Sequence, residues 1–416
     1  MLEFSDAPYC FFEARPSPPL IRLGRECNRR LFLPGRNHRI PEVVISGETE
    51  AMRDAASDGG GLMFVINHPS HSDAQVLTEV HRRLGVDSCY MAAYDVFIRS
   101  RFCAFCMQRM GNFSIDREGS DRKAMAAAIQ VLKDGERALN IFPEGNVFLT
   151  NDRLMPFMDG AAFIALKAQA ALGEVPVRII PVSLKLTHLT IPRETVSNRM
   201  RELAQRSGYA FPDGSADDPV SAVMGLGRHI VGDYLRTHGH AEEIGNDESS
   251  LFETLGTFAA SLVTGLEEAL ELSSPEAAKL SDRIGKIRSR LHQRRTDTSS
   301  PPDSSLDGLA DRAILAMRIH GYLFPYLTAH PTIDRYDETV ERIAEDFYSR
   351  AMPRTGPRRA MVQIHAPLEV KDFLSAADGN MRKAISSLTG KMQTTVQDGI
   401  NALNTANGTP GTTLLT

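Results

Sequence analysis

The chain has 416 residues, with 47 Lys and Arg against 52 Asp and Glu, and a formal net charge of −5 at pH 7. This near balance excludes a protein whose main work is to wrap nucleic acid, because such a protein needs a net basic surface. At about 150 residues per domain, the length predicts two or three domains, or one core that carries a large insertion. Hydrophobic residues make up 42% of the chain, an ordinary value for a globular protein that buries a core.

Short β-rich runs alternate with helical segments from residue 42 to residue 186. The predicted strands are 42–46, 62–66, 88–92, 112–115, 138–142 and 177–186. The predicted helices between them are 48–57, 70–84, 96–110, 120–133 (with Ser120 as N-cap) and 160–172. Strict alternation with short loops predicts an α/β layer fold with a largely parallel sheet.

After residue 186 the strand pattern stops and helical patterns follow, at 200–207, 220–238, 251–272, 275–294, 308–327 and 334–352. A strand returns at 359–365, and a helix follows at 379–403. The sequence therefore predicts five parts. They are a basic, amphipathic N-terminal segment (1–40), an α/β domain (41–195), a helical insertion with a mobile, Pro- and Ser-rich loop near 295–307 (196–356), a return strand with the C-terminal helix of the α/β domain (357–403), and a disordered tail (404–416).

The candidate chemistry lies where the strand 62–66 runs into the segment NHPSHSD (67–73). His68 stands at the carboxyl end of a strand, and Asp73 stands in the first turn of the next helix. A carboxylate so placed can bind one imidazole nitrogen and leave the other free as a base, which suits deprotonation of an alcohol before it attacks an acyl group. A capping Asp73 beside a solvent-facing His68 is the structural alternative.

Three further segments favour the catalytic interpretation: GNFSIDR (111–117), FPEG (142–145) and IPV (180–182). In order and spacing, the four segments resemble the motif blocks of the glycerolipid acyltransferase family, whose members acylate glycerol-3-phosphate or 1-acylglycerol-3-phosphate. The resemblance covers about residues 40–190 and extends to 359–403. It implies a glycerol-phosphate acyltransferase-like αβ layer fold with a mostly parallel sheet, here interrupted by the helical insertion.

The resemblance also implies roles for individual residues. His68 is the expected general base, and Asp73 is expected to orient it. Arg117 is expected to bind an anionic group of the acceptor, since a bidentate guanidinium suits phosphate. Glu144 and Gly145 are expected to shape the acceptor pocket, Glu144 by accepting from a hydroxyl or by fixing Arg117. The remaining expected contributors to substrate binding are Asn67, Ser70 and Gly111.

Two departures from the family pattern bear on the acceptor. FPEG is usually followed by Thr or Ser and then Arg, but here NVF (146–148) follows. A Lys commonly precedes Gly before the next helix, but here Met158 and Asp159 precede Gly160. Because two cationic contacts to phosphate are missing, the acceptor is either a lysophosphatidate, a different lysolipid, or a less acidic alcohol or amine.

The expected function is O-acyl transfer from acyl-CoA or acyl-carrier protein, as co-substrate, to the hydroxyl of a lysophospholipid, with no cofactor. A lipid- or acyl-carrier-binding homologue without turnover, and a hydrolase that uses His68 on water, are the alternatives. No metal is expected, because the spacing from His68 to Asp73 differs from that of metallohydrolases, and the CxxC at Cys103 and Cys106 lacks a second pair. His71 is interpreted as a helix-surface or pocket-lining residue.

A protein that acts on lipids must reach the bilayer surface. The segment 20–39 interleaves arginines with apolar residues and can lie on anionic lipid, although a packed helix with a solvated basic face fits equally well. The sequence has no apolar run long enough to span a membrane and no signal-peptide pattern at residues 1–6. Five cysteines, an odd and sparse set, favour a reducing compartment. The expectation is a cytoplasmic protein, peripherally associated with the inner face of the membrane.

Overall fold

The computed structural model describes residues 9–117, 119, 121–212, 214, 218–237, 248–275, 278–297, 304–406 and 408–415. Within these residues eight strands form one sheet: β1 (Glu42–Gly47), β2 (Gly61–Ile66), β3 (Ser88–Ala93), β4 (Phe113–Ile115), β5 (Ala138–Ile141), β6 (Val177–His188), β7 (Arg358–Ile364) and β8 (Leu368–Glu369). Their order is β1-β7-β6-β2-β5-β3-β4, with β8 beside the start of β6. Of the described strand pairings, only β6–β7 and β6–β8 are antiparallel and the other five are parallel, so the predicted α/β fold with a mostly parallel sheet is confirmed.

Helices cover both faces of the sheet, and strand β2 shows why the sequence requires this. Phe64 and Ile66 of β2 face a core that is closed by α2 (Thr49–Ser57) and α3 (Asp73–Leu84). Met63 and Val65 face the opposite core, which is closed by α6 (Arg122–Asp134), α7 (Gly160–Leu172) and α15 (Met381–Ala406). Because successive side chains of a strand point to opposite faces, one unbroken apolar run supplies both cores.

The described residues between β6 and β7, which form the insertion, are mostly helical and include loops at 208–212 and 321–332. Its helices are α8 (Arg193–Ser207), α9 (Pro219–Thr237), α10 (Glu248–Ala269), α11 (Leu280–Thr296), α12 (Ser305–His320) and α13 (Ile333–Tyr348). They enclose two apolar clusters of their own, one around α10–α12 and one around α8, α9 and α13. The helix predicted at 308–327 ends earlier, at His320, because Gly321 follows it and Pro325 cannot continue a helix.

The N-terminal segment is helical, and so is the segment that follows β3. The N-terminal segment forms α1 (Pro18–Cys27) and a π-helical turn (Asn28–Phe32). The single helix predicted at 96–110 is in fact two, α4 (Tyr94–Ile98) and α5 (Arg101–Arg109), because the Ser100 hydroxyl accepts from the Cys103 N–H and caps a new helix. Helix α14 (Val370–Ala376) precedes α15. Asp121 caps α6, whereas Ser120, the predicted cap, lies outside the described residues.

The prediction of a disordered tail at 404–416 is wrong for the described residues. Helix α15 continues to Ala406, and a 3-10 turn (Pro410–Thr412) follows. The Thr409 and Thr187 hydroxyls lie 2.5 Å apart, and Leu414 forms a β-bridge with Thr332. The tail is ordered because it fills the space between β6 and α13.

The predicted mobile loop near 295–307 is only partly described. Arg295 and Thr296 belong to α11, and Ser305 begins α12, while 298–303 lie outside the described residues. Among the helices that the structure describes, none combines the length and the apolar character needed to cross a membrane.

Candidate active site

His68 and Asp73 form a hydrogen-bonded pair at the carboxyl edge of the sheet. His68 follows β2, Asp73 begins α3, and the His68 Nδ1 lies 2.7 Å from the Asp73 Oδ2. Asp73 is fully buried, and the same oxygen accepts the Ser70 N–H at 2.9 Å. The Phe142 ring stacks on the imidazole with 4.2 Å between centroids. Since Nδ1 is engaged and the His68 side chain is 22% exposed, Nε2 is the nitrogen left for a substrate.

The loop between β2 and α3 is held from beneath by Asn67 and Ser70. The Asn67 amide donates to the Leu184 carbonyl and accepts the Leu184 N–H, both at 2.8 Å. The backbone N–H of Ser70 binds Asp73, and the Ser70 hydroxyl accepts the Ser72 N–H at 3.3 Å. Both side chains are buried, at 1% and 2% exposure, because they satisfy backbone groups inside the fold. The prediction that Asn67 and Ser70 bind substrate is therefore corrected: they support the loop that carries His68.

Glu144 also supports this loop. Its carboxylate accepts the His68 N–H at 2.6 Å through Oε1 and the Met155 N–H at 2.9 Å through Oε2. Burial raises the pKa of Glu144 to about 7, although both N–H groups oppose the shift. The side chain is turned inward to accept from these two donors, and Arg117 binds other partners, so Glu144 does not fix Arg117 directly. A contact of Glu144 with an acceptor hydroxyl stays a prediction. Gly145, with φ +73°, does line the groove beside His68.

Arg117 faces the same groove from the carboxyl end of β4. Its guanidinium donates to the Asp95 carboxylate and to the Asn146 side-chain oxygen, both at 3.1 Å, and lies 3.5 Å from the Gly145 carbonyl. The side chain is 26% exposed. Arg117 is therefore held at the groove by an acidic partner from α4 and by the loop that follows the FPEG segment.

Gly111 has a structural role, so its predicted part in substrate binding is corrected as well. It adopts φ +83°, and a Cβ atom there would lie 1.9 Å from the Arg137 guanidinium. Arg137 occupies that space because it donates to the Gly111 and Met110 carbonyls. Only glycine allows this close approach.

His68, Arg117 and Gly145 line a groove of about 1,490 Å³. Most of its wall is apolar and comes from α1, α4 and α5 and from the ends of β3 and β5. All five cysteines are free thiols, and Cys27 and Cys106 line the groove. The described residues contain no cluster of His, Cys, Asp and Glu side chains suited to a metal ion.

The comparison with known proteins agrees with this geometry. Residues 42–185 match the family model described as Acyltransferase, a span that contains all four motif segments and every sequence-predicted site residue. This span is therefore similar to an acyltransferase domain, in agreement with the predicted resemblance to the glycerolipid acyltransferase family. A 115-residue segment is 31% identical to the 1-acyl-sn-glycerol-3-phosphate acyltransferase of Helicobacter pylori (strain J99 / ATCC 700824). This match covers 27% of the chain and 46% of that relative, so it spans about half of the relative's length.

The insertion touches two motif loops of the acyltransferase domain. His71, half-buried in the groove wall, places Nε2 2.9 Å from Oε2 of Glu345 at the end of α13. On the other side, Nε2 of His292 in α11 lies 2.9 Å from Oδ2 of Asp116. His71 precedes α3, so its interpretation as a helix-surface residue is wrong, whereas the alternative of a pocket-lining residue is confirmed.

Sequence reasoning missed three contributors to this site: Asp95, Glu345 and the stacking of Phe142. Asp95 carried a usable signal, because an acidic residue three positions after a predicted strand lies near the same sheet edge as His68. Glu345 carried no such signal. It is 274 positions from its partner His71, and the spacing of residues in the sequence does not predict so distant a contact.

Proposed function

We propose that the chain is an O-acyltransferase that moves a fatty acyl group from acyl-CoA or acyl-carrier protein to the hydroxyl of a lysophospholipid. The observation that carries the proposal is the buried Asp73 carboxylate bound to Nδ1 of His68, with the imidazole open to a large apolar groove. The donor thioester is a co-substrate, and the proposed reaction needs no cofactor or metal.

The proposed step is a direct transfer. Nε2 of His68 removes the proton of the acceptor hydroxyl while the hydroxyl oxygen attacks the carbonyl carbon of the thioester. Asp73 stabilises the imidazolium that forms. The C–S bond then breaks, the thiolate leaves, and it takes up the proton from His68. No enzyme nucleophile is required, so no acyl-enzyme forms.

Arg117 is the proposed contact for the anionic group of the acceptor. Its guanidinium faces the groove, but Asp95 already neutralises part of its charge at 3.1 Å. An acceptor with less negative charge than a lysophosphatidate therefore remains the second candidate, in agreement with the missing cations at positions 147 and 159.

An acceptor panel tests the proposal. Thiol release from acyl-CoA and from acyl-carrier protein is followed with lysophosphatidate, other lysophospholipids, a neutral monoacylglycerol and no acceptor, and the lipid product is weighed by mass spectrometry. Acceptor-dependent release with an acylated product supports the proposal. Release without acceptor indicates a thioester hydrolase, and no release with any acceptor indicates a binding homologue; both results contradict it.

Replacing Arg117 with alanine should raise the KM of an anionic acceptor by about 10- to 100-fold with a smaller change in kcat, since a hydrogen bond to a charged group contributes about 1.5–3 kcal/mol. Arg117→Lys should recover only part of the loss, because an ammonium cannot form the bidentate contact. Steady-state kinetics with a charged and a neutral acceptor measure KM and kcat for each variant. Arg382→Ala, an exposed arginine on α15, is the control. An equal loss for both acceptors would show that Arg117 does not read acceptor charge.

We further propose that the groove opens onto the inner, cytoplasmic face of the membrane. Five exposed apolar side chains lie around it, here named the apolar rim: Leu23, Leu31, Phe32, Phe102 and Phe105. Helix α1 packs beside the end of α5, so the two parts of the rim adjoin. Six exposed arginines flank the rim: Arg22, Arg29, Arg30, Arg36, Arg99 and Arg101. Apolar side chains among cations suit an anionic lipid surface.

The double variant Phe32→Asp/Phe102→Asp should weaken binding to vesicles of phosphatidylcholine and phosphatidylglycerol by at least about tenfold, because each aromatic side chain contributes about 1.5–3 kcal/mol when buried. Co-sedimentation measures the bound fraction. Val175→Asp, which places the same charge at an exposed apolar residue outside the rim, should bind like the unmodified protein. Unchanged binding of the double variant would contradict the membrane proposal.

A further inference from the structure

The loop that carries His68 (67–72), here named the catalytic loop, is contacted by the insertion through Glu345 and His71. We infer that Glu345 is a positioning residue: it holds His71 and thereby keeps His68 aligned with Asp73. The inference rests on the proposed function, and it gives the insertion a part in catalysis.

The Glu345 carboxylate contacts two segments, the catalytic loop and the turn after α13. Glu345 lies in the last turn of α13, its side chain is 7% exposed, and Oε2 lies 2.9 Å from the His71 Nε2. Oε1 accepts the Met352 N–H at 3.1 Å, so the carboxylate also fixes the turn that follows α13. Ser349 begins that turn with φ +50°, and Ala351 lines the groove. The carboxylate is thus shared between the groove wall and the catalytic loop.

Burial and the contact between the two side chains together set the protonation of this pair. Burial lowers the pKa of His71, against the opposing effect of the Glu345 carboxylate. Burial by itself raises the pKa of Glu345, but the hydrogen bond and charge of His71 outweigh it, and the pKa is lowered overall. Near neutral pH the His71 Nε2–H therefore donates to an ionised Glu345.

The position of His71 in the loop makes this contact matter for His68. The start of the loop is tied to β6 through Asn67, and its end is tied to the N-terminal segment, where the His38 Nδ1 lies 2.9 Å from the Ser72 Oγ. His71 lies between these ties and between His68 and Asp73, so Glu345 restrains the middle of the loop. A displacement of about 1 Å can cost about 10²-fold in rate, and loss of an outer hydrogen-bond partner typically costs about 10- to 100-fold.

Kinetics give the first arm of the test. Glu345→Ala should lower kcat about 10- to 100-fold with an unchanged KM for the acceptor. Glu345→Gln should stay within a few-fold of the unmodified protein, because its amide oxygen can accept from Met352 while its NH₂ donates to the other tautomer of His71. Asp346→Asn is the matched control, since it removes a half-buried carboxylate of the same helix that binds Tyr322 in the insertion. Equal losses in Glu345→Ala and Asp346→Asn, in step with their melting temperatures, would overturn the inference.

A spectroscopic arm does not depend on turnover. In ¹⁵N-histidine-labelled protein, the proton between His68 Nδ1 and Asp73 is identified as the resonance that His68→Ala removes. It should persist in Glu345→Gln and Asp346→Asn and be lost or broadened in Glu345→Ala. If the acceptor panel gives no turnover but this pattern holds, the proposed function fails and the positioning role stands. If the resonance is unchanged in Glu345→Ala, the positioning role is wrong even if kcat falls.

His71→Ala removes the other partner of the same contact and replaces Glu345→Ala in the test if that variant does not fold. It should reproduce the loss of the resonance, and the double variant should lose little more activity than either single variant, because both act through one contact. Additive losses would overturn the inference.

Discussion

Replacement of His68 with alanine should lower kcat for acyl transfer by about 10²- to 10⁴-fold, the usual contribution of a general base. The imidazole is 22% exposed in the groove and has one ring nitrogen bound to Asp73, so the other is available to the acceptor hydroxyl. Its removal leaves the apolar groove and Arg117 in place, and KM should change little. Steady-state kinetics with the best acceptor of the panel measure both constants.

His330→Ala is the matched control, because it truncates an exposed histidine outside the groove. It should leave kcat within a factor of about two, as surface substitutions usually change little. A His68→Ala variant that retains more than a tenth of the activity would exclude His68 as the base.

The second large effect is expected from Asp73→Asn, which should lower kcat by about 10³- to 10⁴-fold, comparable to the loss of the aspartate in a serine protease triad. Oδ2 of Asp73 accepts from both His68 and Ser70, while Oδ1 is buried and has no hydrogen-bond partner among the described residues. If the amide oxygen of the substituted side chain takes the place of Oδ2, the amide NH₂ is buried unsatisfied. If the amide is flipped, it donates to His68 and forces the tautomer that cannot act as a base.

Either arrangement also removes the charge that stabilises the imidazolium, so the loss of rate should not depend on which one forms. Asp58→Asn, at an aspartate that is 60% exposed, should leave kcat unchanged and is the control. The measurement is kcat at saturating donor and acceptor. An Asp73→Asn variant within tenfold of the unmodified enzyme would show that Asp73 only caps α3.

The fold could be predicted where the local pattern was unambiguous. Strand β2 is an unbroken apolar run because helices cover both of its faces, and the alternation around it required a parallel sheet. The break between α4 and α5 could not be predicted from apolar spacing, because one serine hydroxyl starts the second helix. The last residues are ordered because they contact Thr187 and Thr332, and contacts between residues so far apart in the sequence could not be predicted.

The candidate site, like the fold, could be predicted only in part. His68 and Asp73 lie five positions apart at the junction of a strand and a helix, so their proximity could be predicted from the sequence. The resemblance placed Asn67, Ser70 and Glu144 at the site, but it could not distinguish side chains that face substrate from those that satisfy buried N–H groups. That distinction depends on the direction of each side chain, which the motif does not contain.

The central claim is a direct attack by an acceptor hydroxyl that His68 has deprotonated, and a single-turnover experiment tests it most directly. Enzyme in excess over acyl-CoA is mixed with or without acceptor, then quenched, and thiol, product lipid and intact protein mass are measured. Thiol and acylated lipid should appear at the same rate, only with acceptor, and the protein mass should not change. An acyl adduct on the protein, for instance on Cys27 or Cys106 in the groove, or thiol release before acceptor is added, would contradict it.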